Sequence, residues 1–117
     1  VVVRVLDEKS IGFVGSISLR VPSEVLRPYF SDVHQAAVED GLDELIVDFT
    51  ALDFMNSSSI RVLVTWLDWI AAEPEAKQYV LHFRTNAATT WQVTTLAVLQ
   101  TLSQKHVKIS SVETGLA

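Results

Sequence analysis

The strongest constraint on this chain is a buried strand that runs through a polar hinge into an amphipathic helix. Leu45, Ile46, Val47 and Phe49 form a nearly continuous apolar run broken by Asp48, the pattern of a strand buried on both faces in a parallel sheet. Residues 52–69, LDFMNSSSIRVLVTWLDW, contain the end of that strand, the hinge and the helix. In the helix Ile60, Leu63, Val64, Leu67, Ile70 and Ala71 recur at i, i+3, i+4 and i+7, a stripe that packs on a sheet. Arg61, Thr65, Asp68 and Ala72 form its wet side. Val62, Trp66 and Trp69 make a second apolar stripe about 140° from the first; it covers a neighbouring element or meets a partner. Asn56, Ser57, Ser58 and Ser59 favour a helix N-terminus, where a short oxygen-bearing side chain accepts from the unpaired amides of the first turn. Those amides and the positive end of the helix dipole also stabilise a phosphate.

Around this unit the remaining elements alternate. Residues 1–6 are a β-branched run. In residues 11–19, Ile11, Phe13, Gly15, Ile17 and Leu19 alternate with Val14, Ser16 and Ser18, which predicts a hairpin turning at residues 7–10 and lying at one side of the sheet. Pro22 and Ser23 punctuate the chain before Leu26, Tyr29, Phe30, Val33 and Ala37 recur at helical spacing. The helix starts near Pro28, since a deeper proline would cost about 3 kcal/mol, and Gly41 is its stop. Glu73, Pro74 and Glu75 end the hinge helix. Residues 79–83 read as the next strand, Thr89 or Thr90 caps a third helix carrying Trp91, Leu96, Leu99 and Leu102, and residues 107–112 give a last short strand. Residues 114–117 read as a frayed tail. Strands alternating with helices after an opening hairpin predict one α/β domain over residues 1–117, with a mixed, mostly parallel sheet of about five strands and three main helices.

Composition narrows the function classes. A chain of 117 residues fits one domain. Its formal charge of −5 and the lack of a basic cluster argue against nucleic acid as the main partner. With no cysteine, disulfides, thiolate chemistry and Cys-based zinc sites are excluded. No apolar run reaches the roughly 18 residues that span a bilayer, and no basic-then-apolar start suggests secretion, so a cytoplasmic protein without membrane attachment is expected. Met55 is the only methionine and the chain starts at Val1, so the natural N-terminus is expected to lie upstream.

The stretch IVDFTALDFMNSSSIRVLV resembles the core motif of STAS domains, the bacterial anti-sigma factor antagonists, in which a strand and a D-S-S-G or D-S-T-G hinge lead into a helix. Trp91 and Gln92, followed by Thr94, Thr95 and Leu96, are similar to a branch of that family with an N-S-S hinge and a W-Q-x-x-S-L element. The resemblance covers about residues 42–102 at motif level. It implies a non-enzymatic, cofactor-free regulator that binds a serine-kinase-type anti-sigma factor, with phosphorylation at Ser57 turning binding off and a serine phosphatase restoring it. Ser58 is the second candidate acceptor. The implied partner surface comprises Asn56, Ser57, Ser58, Ser59, Arg61, Val62, Trp66 and Trp69. Two positions depart from the family pattern: Asn56 replaces the hinge Asp, and Ser59 replaces the hinge Gly. These departures favour the alternative, a constitutive interaction or scaffold module in which Ser57 only caps the helix and Trp66 and Trp69 form a homodimer.

Other chemistry-bearing residues lack a convergent pattern in the sequence. Asp48 and Asp53 read as strand-end and turn residues rather than an acid–base pair. His34, His82 and His106 lie on three elements without ligand spacing, so they point to neither a metal nor a Ser-His-Asp triad, and they read as surface or half-buried. Trp91 reads as packing at the start of the third helix. Gly12, Gly15, Gly41 and Gly115 make no phosphate-cradling pattern.

Overall fold

A 12-residue strand, β3 (Glu44–Met55), passes through the middle of the computed structural model and sets the position of everything else. The structure describes residues 2–7, 10–17 and 24–112. Ser18, Leu19, Pro22, Ser23, Gly115 and the tail at 114–117 lie outside the described residues. Beside β3 the sheet holds β1 (Val2–Asp7), β2 (Ser10–Ile17), β4 (Val80–Asn86) and β5 (Val107–Val112), in the spatial order β1-β2-β3-β4-β5. Strand β1 pairs antiparallel with β2, forming the expected hairpin at one edge, and the other pairs are parallel. The helices α1 (Leu26–Glu39), α2 (Ser57–Ala72) and α3 (Thr90–Leu102) connect successive parallel strands. The chain is therefore α/β with a mixed, mostly parallel five-stranded sheet and three main helices.

Strand order explains the one respect in which β3 differs from expectation. Each crossover joins neighbouring strands in sequence order, so right-handed connections carry all three helices to the same face. Leu45, Val47 and Phe49 are buried on that face, while Ile46, Asp48 and Thr50 remain half-buried on the other. The apolar run is thus buried chiefly on one side. Register aligns Ile11, Val47, Phe83 and Ile109 across four strands on the helical face, and Gly12, Asp48, Arg84 and Ser110 across the same strands on the open face.

The helix boundaries follow local chemistry. Helix α1 begins at Leu26, and Pro28 falls within its first turn, where a missing N–H leaves no intrahelical bond unmade. At the other end Gly41 adopts φ +65°, its amide bonds Val38 O at 3.2 Å and the Leu42 amide bonds Ala37 O at 3.1 Å. This pair of bonds is a Schellman motif, and a residue with a Cβ would be strained at its left-handed position. Helix α2 ends at Glu73, where Pro74 follows and a short 3₁₀ turn (Glu75–Lys77) leads to β4.

Aromatic side chains fill the space between helices and sheet. The Phe13, Phe49 and Phe83 rings of three adjacent strands lie 5.6 Å and 5.4 Å apart in succession. Phe30 of α1 contacts Phe13 edge-on and stacks on Trp66 of α2 at 4.5 Å. The buried positions of α2, Ser59, Val62, Leu63, Trp66, Leu67 and Ile70, form one broad inward face. The two apolar stripes of the sequence therefore merge at the α1–α2 contact. Ala71 of the first stripe is exposed, as is Leu102 of the third helix.

A polar chain fastens α1, α2 and the start of β4 inside this core. Trp66 Nε1 donates to the Tyr79 hydroxyl at 2.9 Å, which lies 2.7 Å from His34 Nδ1, and His34 Nε2 lies 2.9 Å from the Glu73 carboxylate. With Nε2 protonated, each group has a partner: Trp66 donates to Tyr79, Tyr79 to His34, and His34 to Glu73. Burial raises the Tyr79 phenol above its ordinary range, outweighing the hydrogen bond from Trp66 that acts the other way. Replacing Tyr79→Phe strands two buried nitrogens, and urea unfolding should show a loss of about 1–3 kcal/mol with helical content intact.

His106 supplies a pH-dependent contribution at the turn before β5. It is buried, its Nε2 lies 2.8 Å from Gln78 Oε1, and burial followed by the nearby Lys105 charge lowers its pKa from 6.5. The unfolded chain therefore takes up this proton first as pH falls. The stabilisation from a neutral His106 is complete above pH 6.5 and is lost on acidification toward the lower folded value. Unfolding midpoints measured from pH 7.5 down to 5 should decline more steeply in the native chain than in His106→Gln.

Candidate functional site

The hinge sits at the carboxyl end of β3, where the strand outruns its pairing with β4. Pairing with β4 stops at Asp48 opposite Arg84. Pairing with β2 continues, but β3 advances from Asp48 to Ala51 while β2 advances from Gly12 to Val14, and from Leu52 to Phe54 while β2 advances from Gly15 to Ser16. These are β-bulges, which re-aim a strand and leave ladder positions unpaired. Backbone carbonyls on the side facing α3 then need partners other than a strand.

Gln92 and Trp91 supply them. The Gln92 amide nitrogen donates to Phe49 O and to Leu52 O, both at 2.7 Å, and its oxygen accepts from the Asn86 amide at 2.9 Å. Trp91 Nε1 donates to Asp53 O at 2.7 Å, while its ring lies 6.5 Å from Phe49. Gln92 is fully buried. In the sequence this glutamine appears only within the W-Q element of the family resemblance, and no periodicity singles it out. A polar residue on the inward face of a predicted helix was the available signal, since such a group must find buried partners.

The hinge itself is a helix cap with two serines left over. Asn56 has extended backbone angles, its amide donates to Ile17 O at 2.9 Å, and its side-chain oxygen accepts from the Ser59 amide at 3.2 Å. The Ser59 hydroxyl also donates to that oxygen, and Ser59 is fully buried. Asn56 and Ser59, the two departures from the family pattern, thus contact each other. Ser57 and Ser58 occupy the first two helical positions and are exposed, with no side-chain hydrogen bond among the described residues. Phe54, 47% exposed, precedes them, and Arg61 is exposed one turn further along α2. A recess of ≈ 420 Å³ lined by Asp40, Gly41, Leu42, Asp43, Glu44 and Ile46 lies at the opposite end of β3.

Besides the buried Ser59 and the half-buried Asn56, three members of the expected partner surface lie away from the exposed hinge: Val62, Trp66 and Trp69. Trp66 is fully buried and Val62 is 6% exposed, so neither side chain presents a surface to a partner. Trp69 is half-buried, flanked by the His34 ring at 6.1 Å and by the Arg27 guanidinium at 6.0 Å from its own ring centre. The second stripe covers α1, because α2 is apolar on more of its circumference than the sheet alone can bury. The exposed hinge surface is Phe54, Ser57, Ser58 and Arg61.

The other candidates separate as well. Asp48 lies on the open sheet face, where one carboxylate oxygen accepts from the Thr50 amide at 2.8 Å and its hydroxyl at 2.6 Å; Asp53 is exposed. His34 and His106 are buried rather than at the surface, and only His82 is half-buried. Among the described residues no three histidine or carboxylate side chains gather as a metal site, and no helix is long and apolar enough to cross a membrane.

Gln92→Leu should orphan two carbonyls and one amide and cost about 3 kcal/mol or more, with amide exchange at residues 50–56 accelerating before that of α1. Asn56→Ala should cost about 1 kcal/mol through loss of the cap, measured by the same denaturant series. No protein-family profile, no curated protein and no solved structure matches this chain.

Proposed function

We propose that this chain is a regulatory binding module of the anti-sigma factor antagonist type, which docks a serine-kinase-type anti-sigma factor through the hinge surface and is switched by phosphorylation at Ser57. The proposal rests on the resemblance of the strand-hinge-helix motif. The observation that carries it is the division of labour among the hinge serines: Ser59 is buried in the cap, whereas Ser57 and Ser58 are exposed at the helix start. A kinase can reach Ser57 without opening the cap, so the fold persists while the surface changes.

Arg61 lies four residues after Ser57, the spacing at which side chains meet on a helix. A phosphate on Ser57 would face this guanidinium and the first-turn amides together. A phosphoserine brings about −1.5 to −2 charges, more than Arg61 neutralises, and a partner seated on Phe54 and the neutral serines would meet an unpaired anion. Binding is then lost by occlusion and repulsion, without refolding. A serine phosphatase would reset the surface. In this reading the protein acts in the bacterial cytoplasm and carries out no catalysis at the hinge.

The competing constitutive module uses the same surface with Ser57 unmodified, and the Asn56–Ser59 contact favours it by making the cap complete without a charged residue. One variant separates the two. Pull-down of the kinase partner from its native lysate should be reduced at least tenfold by Ser57→Asp and retained by Ser57→Ala. Retention of the partner by Ser57→Asp would sink the switch. Phe54→Ala should weaken the same complex by about 1–2 kcal/mol, the scale of an apolar interface anchor, read by titration calorimetry.

A further inference from the structure

The open face of the sheet carries a side-chain arrangement that no single strand reveals. Glu44 of β3, His82 of β4 and Ser110 of β5 are joined in one line: the Glu44 carboxylate accepts from His82 Nδ1, and His82 Nε2 lies 2.8 Å from the Ser110 hydroxyl. A carboxylate on Nδ1 holds the proton there, which leaves Nε2 as the acceptor for the serine proton. This is the connectivity of an acid–histidine–serine relay, recognised by geometry and not by chain order. All three residues are partly solvent-accessible.

The surroundings define the substrate class. Arg84 is the direct cross-strand partner of Ser110, and Lys108 is that of His82. Both are exposed, and alternation along each strand puts them on the same face as the relay. The only ion-pair partner of Arg84 among the described residues is Asp48, at 4.0 Å. Two cations therefore border a histidine-paired serine in a chain of net charge −5.

We propose that Ser110 is a nucleophile toward small activated acyl esters that carry a negative charge, with His82 as its base and Glu44 as the positioning residue. In the first step the Ser110 oxygen bonds to the acyl carbon, its proton passes to His82 Nε2, and the ester C–O bond breaks with that proton going to the leaving alkoxide. Water then repeats the sequence in reverse, forming the free acid and restoring Ser110–OH. Arg84, the cross-strand partner of Ser110, supplies a positive charge on the neighbouring strand. This activity is independent of the hinge, which lies past the end of the β3–β4 pairing.

A covalent readout suits a shallow site with slow turnover. The full chain is incubated with 4-nitrophenyl hydrogen succinate and, in parallel, with neutral 4-nitrophenyl acetate, and adducts are located by peptide mass mapping. The expected result is a succinyl group on Ser110, formed faster than the acetyl group, absent in Ser110→Ala, and slowed about 100-fold in His82→Ala. Free imidazole should restore part of the His82→Ala rate, a recovery that a purely structural histidine would not show. Glu44→Gln should lower the rate while leaving the melting temperature close to that of the native chain. Ser57→Ala should leave the Ser110 adduct unchanged, which keeps this test separate from that of the hinge. No adduct on Ser110, or an equal rate in His82→Ala, would overturn the proposal.

Discussion

The buried side-chain amide of Gln92 is the interaction on which the candidate site depends. A strand that extends beyond its neighbour leaves carbonyls without ladder partners, and in a desolvated position each unpaired group costs free energy comparable to a lost hydrogen bond. Gln92 satisfies Phe49 O and Leu52 O at once, and Trp91 satisfies Asp53 O beside them. The strand can therefore continue past β4, bulge twice against β2 and deliver Asn56 to the start of α2 in one orientation. Without that support the carbonyls of Phe49 and Leu52 would lose their partners, and the end of β3 would be held by β2 alone.

Rigidity behind the hinge and exposure at its tip belong together. Asn56 is held by β2 through its backbone and by Ser59 through its side chain, and the core side of α2 is locked by the stacked Phe30–Trp66 pair and the Trp66–Tyr79–His34–Glu73 chain. The first two serines stay outside this network. A preorganised surface loses less conformational entropy on binding than a mobile one.

The single-sided layering has a second consequence. Because α1, α2 and α3 all pack on one face, the opposite face of the sheet carries polar residues that alternate with the core set. Parallel pairing in register then brings Glu44, His82 and Ser110 together from positions far apart in the chain. Their convergence comes from strand order and pleat, and the same geometry leaves Arg84 and Lys108 beside them.

The sequence alone determined the elements and their order. The period-2 hairpin, the apolar β3 run, Gly41 as a helix stop and Pro74 after α2 are local signals, set by backbone sterics and hydrogen bonding within a few residues. The cap at Asn56 was legible for the same reason. Tertiary structure decided which apolar residues are surface and which are core: Val62 and Trp66 look like docking residues when α2 is judged against the sheet alone, and become core once α1 lies on them. It also decided the roles of Gln92 and His82, whose partners are about 40 residues away for Gln92 and 38 and 28 residues away for His82. A polar side chain announces that it needs a partner, but only the packed fold brings that partner within about 3 Å.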